Sequence, residues 1–239
     1  MPSAKPSNSR RSACLAALML MLAGTGCASY EPTRSGYLSD YSRLQKDPVH
    51  LNYGLGVQRN ISHVASPQEA SQVDSYYIEP VRWLVSESSR AAGDPKRQQY
   101  LTSTLEKELK EQLGALKPIV DQLGPNTARV RSAITDVRLS RPLLNVAMFA
   151  TLITPVFVGP IFNGGGFVEA EVIGPDGRQL SAISCASAGG TIDLVGYFVK
   201  PGHAKKAMRR SAKELRETLE EPGGWPIPRT PPRTVTAGP

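Results

Sequence analysis

Between residues 75 and 220 the apolar positions fall into two periods that divide the chain into six elements. Tyr77, Val81 and Trp83 share one parity and Ile78 and Leu84 the other, which predicts a strand over 75–85 with both faces partly covered. Pro80 has no amide proton and places that strand at an edge or a bulge. Leu101, Leu105, Leu109 and Leu113 form a helical stripe, capped by Asp94, opened by Pro95 and stopped by Gly114. Residues 128–139 read as a strand whose parity changes near Thr135-Asp136, the signature of a bulge. Residues 167–173 and 179–186 read as a hairpin around Gly174-Pro175-Asp176-Gly177, a sequence suited to a type I turn with a left-handed glycine. Ala204, Met208, Ala212, Leu215 and Leu219 give a last helix over 203–220. Residues 47–70, with Gly54, Gly56 and Pro67, are poorly periodic and read as loops with room for one short strand. The order β-α-β-β-β-α predicts an α+β domain. Its expected core is a four-stranded, largely antiparallel sheet with two helices on one face, preceded by an N-terminal tether.

The N-terminus changes this picture from a free domain to a tethered one. Arg10 and Arg11 precede an apolar run from Ala13 to Ala23, and Gly24-Thr25-Gly26-Cys27 follows. A run of about 11 residues has the length of a signal-peptide core and is too short to span a bilayer. The small residues before Cys27 resemble the lipobox of bacterial lipoproteins, with Gly24 where leucine is usual. The resemblance implies cleavage before Cys27 and acylation of its thiol. Ala28, in place of aspartate, implies sorting to the periplasmic face of the outer membrane. The expected division is a signal peptide over 1–26, a lipidated tether and docking element over 27–46, one α+β periplasmic domain over 47–221, and a disordered proline-rich tail over 222–239. Loss of Lys5, Arg10 and Arg11 with the signal lowers the formal charge from +7 to +4. That is mildly basic and lacks the dense basic stripe of a nucleic-acid binder. Only Cys185 then remains as a free thiol, so the mature chain has no internal disulfide.

Residues 35–44, Ser-Gly-Tyr-Leu-Ser-Asp-Tyr-Ser-Arg-Leu, carry a further signal. Together with Tyr76-Tyr77-Ile78-Glu79-Pro80-Val81, Val168-Glu169-Ala170-Glu171-Val172 and Asp176-Gly177, they resemble an uncharacterised, domain-of-unknown-function family of Gram-negative lipoproteins. Tyr37, Leu38, Tyr41 and Leu44 recur at helical spacing, so this element is expected to dock an apolar edge onto the body. The element order is also similar to that of small outer-membrane lipoproteins that assist lipopolysaccharide assembly and lipid transport, a likeness of fold that does not fix function.

Few residues offer chemistry. Glu169 and Glu171 stand two apart on one strand face, roughly 7 Å from each other, and read as a solvated or salt-bridged face. His50, His63 and His203 lack metal-ligand spacing. Cys185, between Ser184 and Ala186 in a strand, reads as buried and inert. Gly164-Gly165-Gly166 has no following Lys-Ser/Thr and is not a phosphate loop. Lys205, Lys206, Arg209, Arg210 and Lys213 gather opposite the apolar stripe of the last helix and form a candidate anion-binding face. Leu143 to Phe162 is 20 residues without charge, interrupted by Pro155 and Pro160. It is expected to link two strands, with Met148, Phe149, Leu152 and Phe157 packing on the body, on a partner or on the membrane surface. No catalytic set, metal site or cofactor is expected. The reading is a non-catalytic outer-membrane lipoprotein acting as a binding or assembly and transport accessory, held to the membrane by its lipid and to an envelope protein partner. The alternatives are a binder of a lipid or amphiphile in an apolar pocket and, least, a hydrolase.

Overall fold

The computed structural model describes residues 30–52, 56–139, 164–189 and 202–220. Cys27 and the signal sequence, the apolar segment with Met148, Phe149, Leu152 and Phe157, and the proline-rich tail all lie outside the described residues. The described elements, in chain order, are β1 (Gln45–Lys46), β2 (His50–Asn52), β3 (Gly56–His63), α1 (Pro67–Ser71), β4 (Ser75–Ile78), β5 (Arg82–Trp83), α2 (Pro95–Gly114), β6 (Ile119–Val120), β7 (Thr127–Arg138), β8 (Gly165–Ile173), β9 (Gln179–Ala188) and α3 (Gly202–Glu220).

The nine strands form one mixed sheet in the order β1-β3-β9-β8-β7-β4-β6, with β2 also on β3 and β5 also on β7. This corrects the expected four-stranded, largely antiparallel sheet with two helices. The antiparallel half, β3-β9-β8-β7, continues into a parallel half in which β4 and β5 run alongside β7 and β6 alongside β4. Two features account for the difference. Pro80 breaks the expected 75–85 strand into β4 and β5, and the chain then crosses over through α2 before returning as β7, the connection that parallel neighbours require. Residues 47–70, read as loops with room for one short strand, hold β2 and β3, and β1 lies in the stretch read as the docking element. β3 escapes that reading because it alternates polar with apolar residues. Gln58, Asn60 and Ser62 point to one face, where they are buried, and Ile61 to the other. A buried polar face hides the strand from a hydrophobicity pattern.

Helices α2 and α3 cover one face. Leu101, Leu105, Leu109 and Leu113 of α2 and Ala204, Ala207, Met208, Ala212 and Leu215 of α3 join Val130, Ile134, Val168, Ala170, Val172, Ile183 and Cys185 of the sheet in the main core. Gly166 lets α3 close onto β8, since a Cβ there would sit 2.7 Å from Met208 Cε and 3.1 Å from Ala207 Cβ. The register of β7 shifts between Ile134 and Asp136, where the parity of the sequence changes. The β8–β9 hairpin turns with Gly177 at φ +81°, the left-handed conformation that glycine adopts without strain.

The short helix α1 is closed by a capping box: Ser66 Oγ accepts from Glu69 N at 3.3 Å and Ser66 N donates to Glu69 Oε2 at 2.9 Å. The Ser66 amide and hydroxyl hold the Glu69 carboxyl below its usual range. Ser66→Ala is expected to lower stability by about 1 kcal/mol in a denaturant titration. Because the folded-state pKa of Glu69 is depressed, its contribution is full above the ordinary carboxylate pKa and is lost as pH falls through the folded value. The difference between wild type and Ser66→Ala should therefore shrink in acid.

Candidate functional site

The second face of the sheet is covered by the chain itself. Residues 30–44 cross β8 and β9 as a strap on the side away from the helices. Leu38 and Leu44 bury against Ile61 of β3 and Ala182 of β9, with Tyr37 and Tyr41 packed around them. Beneath the strap lie Glu169 and Glu171 of β8, both 0% exposed.

Burying a carboxylate is tolerated only when its lone pairs are met by donors. Glu169 meets four. Its Oε1 accepts from Thr33 Oγ1 at 3.1 Å and Ser35 N at 2.9 Å, and its Oε2 from Ser35 Oγ at 2.7 Å and Tyr41 OH at 2.6 Å. Every one of these donors belongs to the strap. Glu171 Oε2 accepts from Ser39 N at 2.9 Å, Ser39 Oγ at 2.7 Å and Gln179 Nε2 at 2.7 Å. Its Oε1 faces Arg131 Nη1 at 3.0 Å, an ion pair without hydrogen-bond alignment. The two glutamates are thus a pair of clamps for the strap, and the sequence expectation of a solvated or salt-bridged face holds only for the ion pair of Glu171.

Each residue of the 35–44 stretch has a physical task in this arrangement. Gly36 turns the chain at φ +86°. The Tyr41 hydroxyl accepts from Gly36 N at 2.9 Å and Leu38 N at 3.2 Å while donating to Glu169. Burial, together with that bond to Glu169, raises the Tyr41 pKa, so the phenol stays a donor. Tyr37 donates to Ser132 O at 3.1 Å and lies under the Arg131 guanidinium, 5.0 Å from the ring centre. Asp40 Oδ1 accepts from Ser42 N at 2.7 Å, and Arg43 Nη1 donates to Gln179 O at 2.8 Å. Upstream, Thr33 O accepts from Ser184 Oγ at 2.7 Å, and Tyr30 stacks on Phe167 with ring centres 5.7 Å apart. Arg138 lies over both rings, 4.5 Å from Tyr30 and 5.0 Å from Phe167. A Cβ on Gly165 would collide with Ser187 O and sit 2.9 Å from Tyr30 Cε1, so the glycine makes room first for the β9 backbone and then for that stack.

The other candidate residues do not converge. In α3, Arg209 Nε donates to Glu108 of α2 at 2.6 Å, Arg210 Nη1 to Ser187 at 3.1 Å, and Lys213 pairs with Glu217 at 3.2 Å. Lys205 lies over the Tyr100 ring at 6.0 Å, and Lys206 is exposed. The five cations therefore face several neighbours and form no cradle around one point. His63 stands across from Ala182 and His203 packs at Gly189, near opposite ends of β9, while His50 lies on β2. Burial lowers the His63 pKa and the nearby Arg43 adds to the effect. Among the described residues no group of three His, Cys, Asp or Glu side chains is placed to hold a metal ion, and no helix is long and apolar enough to cross a membrane. Cys185 is 0% exposed in the main core, and burial pushes its thiol up to about 12. It should resist iodoacetamide in the folded protein at pH 8 and react at the rate of a free thiol in denaturant, a contrast that mass spectrometry reads directly.

Sequence reasoning missed Gln179, Thr33 and Ser184 as members of the site. The available signal was a Glu-x-Glu pair set in an apolar strand, together with a hydroxyl-rich element elsewhere that supplies donors.

Residues 33–215 match the family described as "Protein of unknown function (DUF3313)". No curated protein matches the chain. Among solved structures, a PelC dodecamer from Paraburkholderia phytofirmans is 13% identical, with a TM-score of 0.38 over 67% of this chain and 97% of that one. A single-substitution variant of the same dodecamer is also 13% identical, with a TM-score of 0.36 over 67% and 97%.

Proposed function

The chain belongs to the DUF3313 family of proteins of unknown function, and we propose that it is a non-catalytic lipoprotein of the outer membrane. In this reading it faces the periplasm and serves as a binding or assembly and transport accessory for an envelope protein partner. The observation that carries the reading is the fate of the carboxylate pair. Glu169 and Glu171 hold a strap, and the first strap residue bonded to either of them, Thr33, stands six residues after Cys27. Acid-base catalysis needs a carboxylate open to substrate. Here both are covered, and their hydrogen-bonding capacity goes to fixing the body close behind an anchoring cysteine. The multiple acyl chains of such an anchor bind far more stably than one chain does.

Cys27→Ser tests the anchor. The variant is expected to remain unprocessed or to leave the membrane fraction, while wild type sediments with the outer membrane. A variant that fractionates with the outer membrane as wild type does would overturn the lipoprotein reading.

A further inference from the structure

The strap also determines which end of the body faces the anchor. Tyr30 is fixed on Phe167 at the start of β8, and Cys27 precedes it by three residues. An extended chain spans at most about 3.6 Å per residue, so Cys27 lies within about 11 Å of Tyr30. The register places Arg138 at the end of β7 opposite Gly165, and Gly165 opposite Ala188 at the end of β9. Helix α3 starts at this same end, with His203 against Gly189. So does α2, because β5 runs parallel to β7 toward it and Tyr100 near the start of α2 lies beneath Lys205.

This end is basic and carries exposed apolar side chains. Among the described residues, Arg90, Lys96 and Lys205 lie on its two helices and the loop leading into α2. Of the described acids here, Glu31, Asp94 and Asp136 are paired with Arg59, Arg97 and Arg138, and Glu87 stands against these three cations. Leu84 and Tyr100 are each 40% exposed. The opposite end carries the hairpin tip with Asp176 and Arg178, and Asp74 and Asp121 beside β4 and β6.

We propose that this basic end lies against the anionic phospholipid surface in which the Cys27 lipid is inserted, with the β8–β9 hairpin tip pointing away from it. The proposal rests on the acylation of Cys27 argued above. The chemistry of the partner surface follows from its recognition elements: cations attracted to phosphate headgroups, and an exposed leucine and tyrosine at the depth where amphipathic side chains settle. The short tether holds these groups at the surface continuously, so each needs only a weak attraction to orient the body.

The test uses the full-length acylated protein in vesicles of phosphatidylethanolamine and phosphatidylglycerol with an acceptor dye on a lipid headgroup. Flotation with the vesicles comes first: failure to float would sink the anchor reading itself. A donor dye is then placed at Ser88→Cys or at Arg178→Cys, both exposed positions at opposite ends. Since β8 alone spans about 26 Å, energy transfer should be about two-fold more efficient from position 88 than from position 178. Protein that floats but transfers equally from both positions, or better from 178, overturns the orientation and leaves the anchor standing. In R90Q/K96Q, or in purely zwitterionic vesicles, the difference between the two positions should shrink to the part that the short tether alone imposes. A difference unchanged by both changes overturns the anionic surface as the orienting partner.

Discussion

Replacement of Glu169 by alanine is expected to cost about 3–5 kcal/mol, since several buried donors lose their acceptor at about 1–3 kcal/mol each. The loss arises on the strap side. Thr33 Oγ1, Ser35 N, Ser35 Oγ and Tyr41 OH all donate to this carboxylate, and alanine leaves them facing a cavity. The strap has one escape, which is to peel away and let water satisfy those donors, so the cost cannot exceed the free energy that docks it. Amide exchange separates the two outcomes. Protection at Ser35 and Ser39 should collapse in Glu169→Ala while β7, β8 and β9 remain protected, and the denaturant midpoint should fall. Glu169→Gln should lie between wild type and Glu169→Ala, because its carboxamide oxygen can still accept from the Ser35 amide, but its NH2 group then confronts the Tyr41 hydroxyl, whose oxygen already accepts from Gly36 N and Leu38 N. Unchanged exchange at residues 35–41 in Glu169→Ala would refute the clamp. Glu171→Ala gives a related check, but Gln179 and Arg131 would remain to repartner, so a smaller release is expected.

The parts of this arrangement that could be read from the sequence are those governed by local rules. The stripe of Leu101, Leu105, Leu109 and Leu113 becomes the buried face of α2, with Asp94 Oδ1 accepting from Arg97 N as its cap. The Gly174–Gly177 turn closes the β8–β9 hairpin with a bond from Gly177 N to Gly174 O at 3.0 Å. What escaped was non-local or polar. β4 and β5 pair in parallel with a strand about 50 residues away, and no period in the sequence encodes the direction of a partner. β3 buries Gln58, Asn60 and Ser62, so its inward face lacks the apolar residues by which strands are recognised. Glu169 and Glu171 look solvated in a one-dimensional reading because the segment that covers them lies more than 120 residues earlier. The resemblance in residues 35–44 and 168–172 marked both halves of the contact, yet only the fold shows that the two blocks touch.

Leu105→Ala tests the opposite face and should have a comparable effect for a different reason. Leu105 is 0% exposed in the middle of the α2 stripe, in the core shared by both long helices and the sheet. Truncating it removes apolar burial and leaves a cavity that a close-packed interior fills only in part, a loss of about 2–5 kcal/mol. No strap can peel away to limit this loss. The variant should therefore unfold in a single cooperative transition at lower denaturant, with the exchange protection of Ser35 and Ser39 falling only as the whole domain opens. Combining Leu105→Ala with Glu169→Ala then asks whether the two faces of one sheet are energetically separate. Leu105 belongs to the helix-side core, and the ligands of Glu169 belong to the strap, with no shared bonding partner. Additivity to within about 0.5 kcal/mol is expected for such sites. A coupling above about 1 kcal/mol would mean that β8 transmits strain from one face to the other. The strap would then belong to the folding unit of the body instead of being a segment docked upon it.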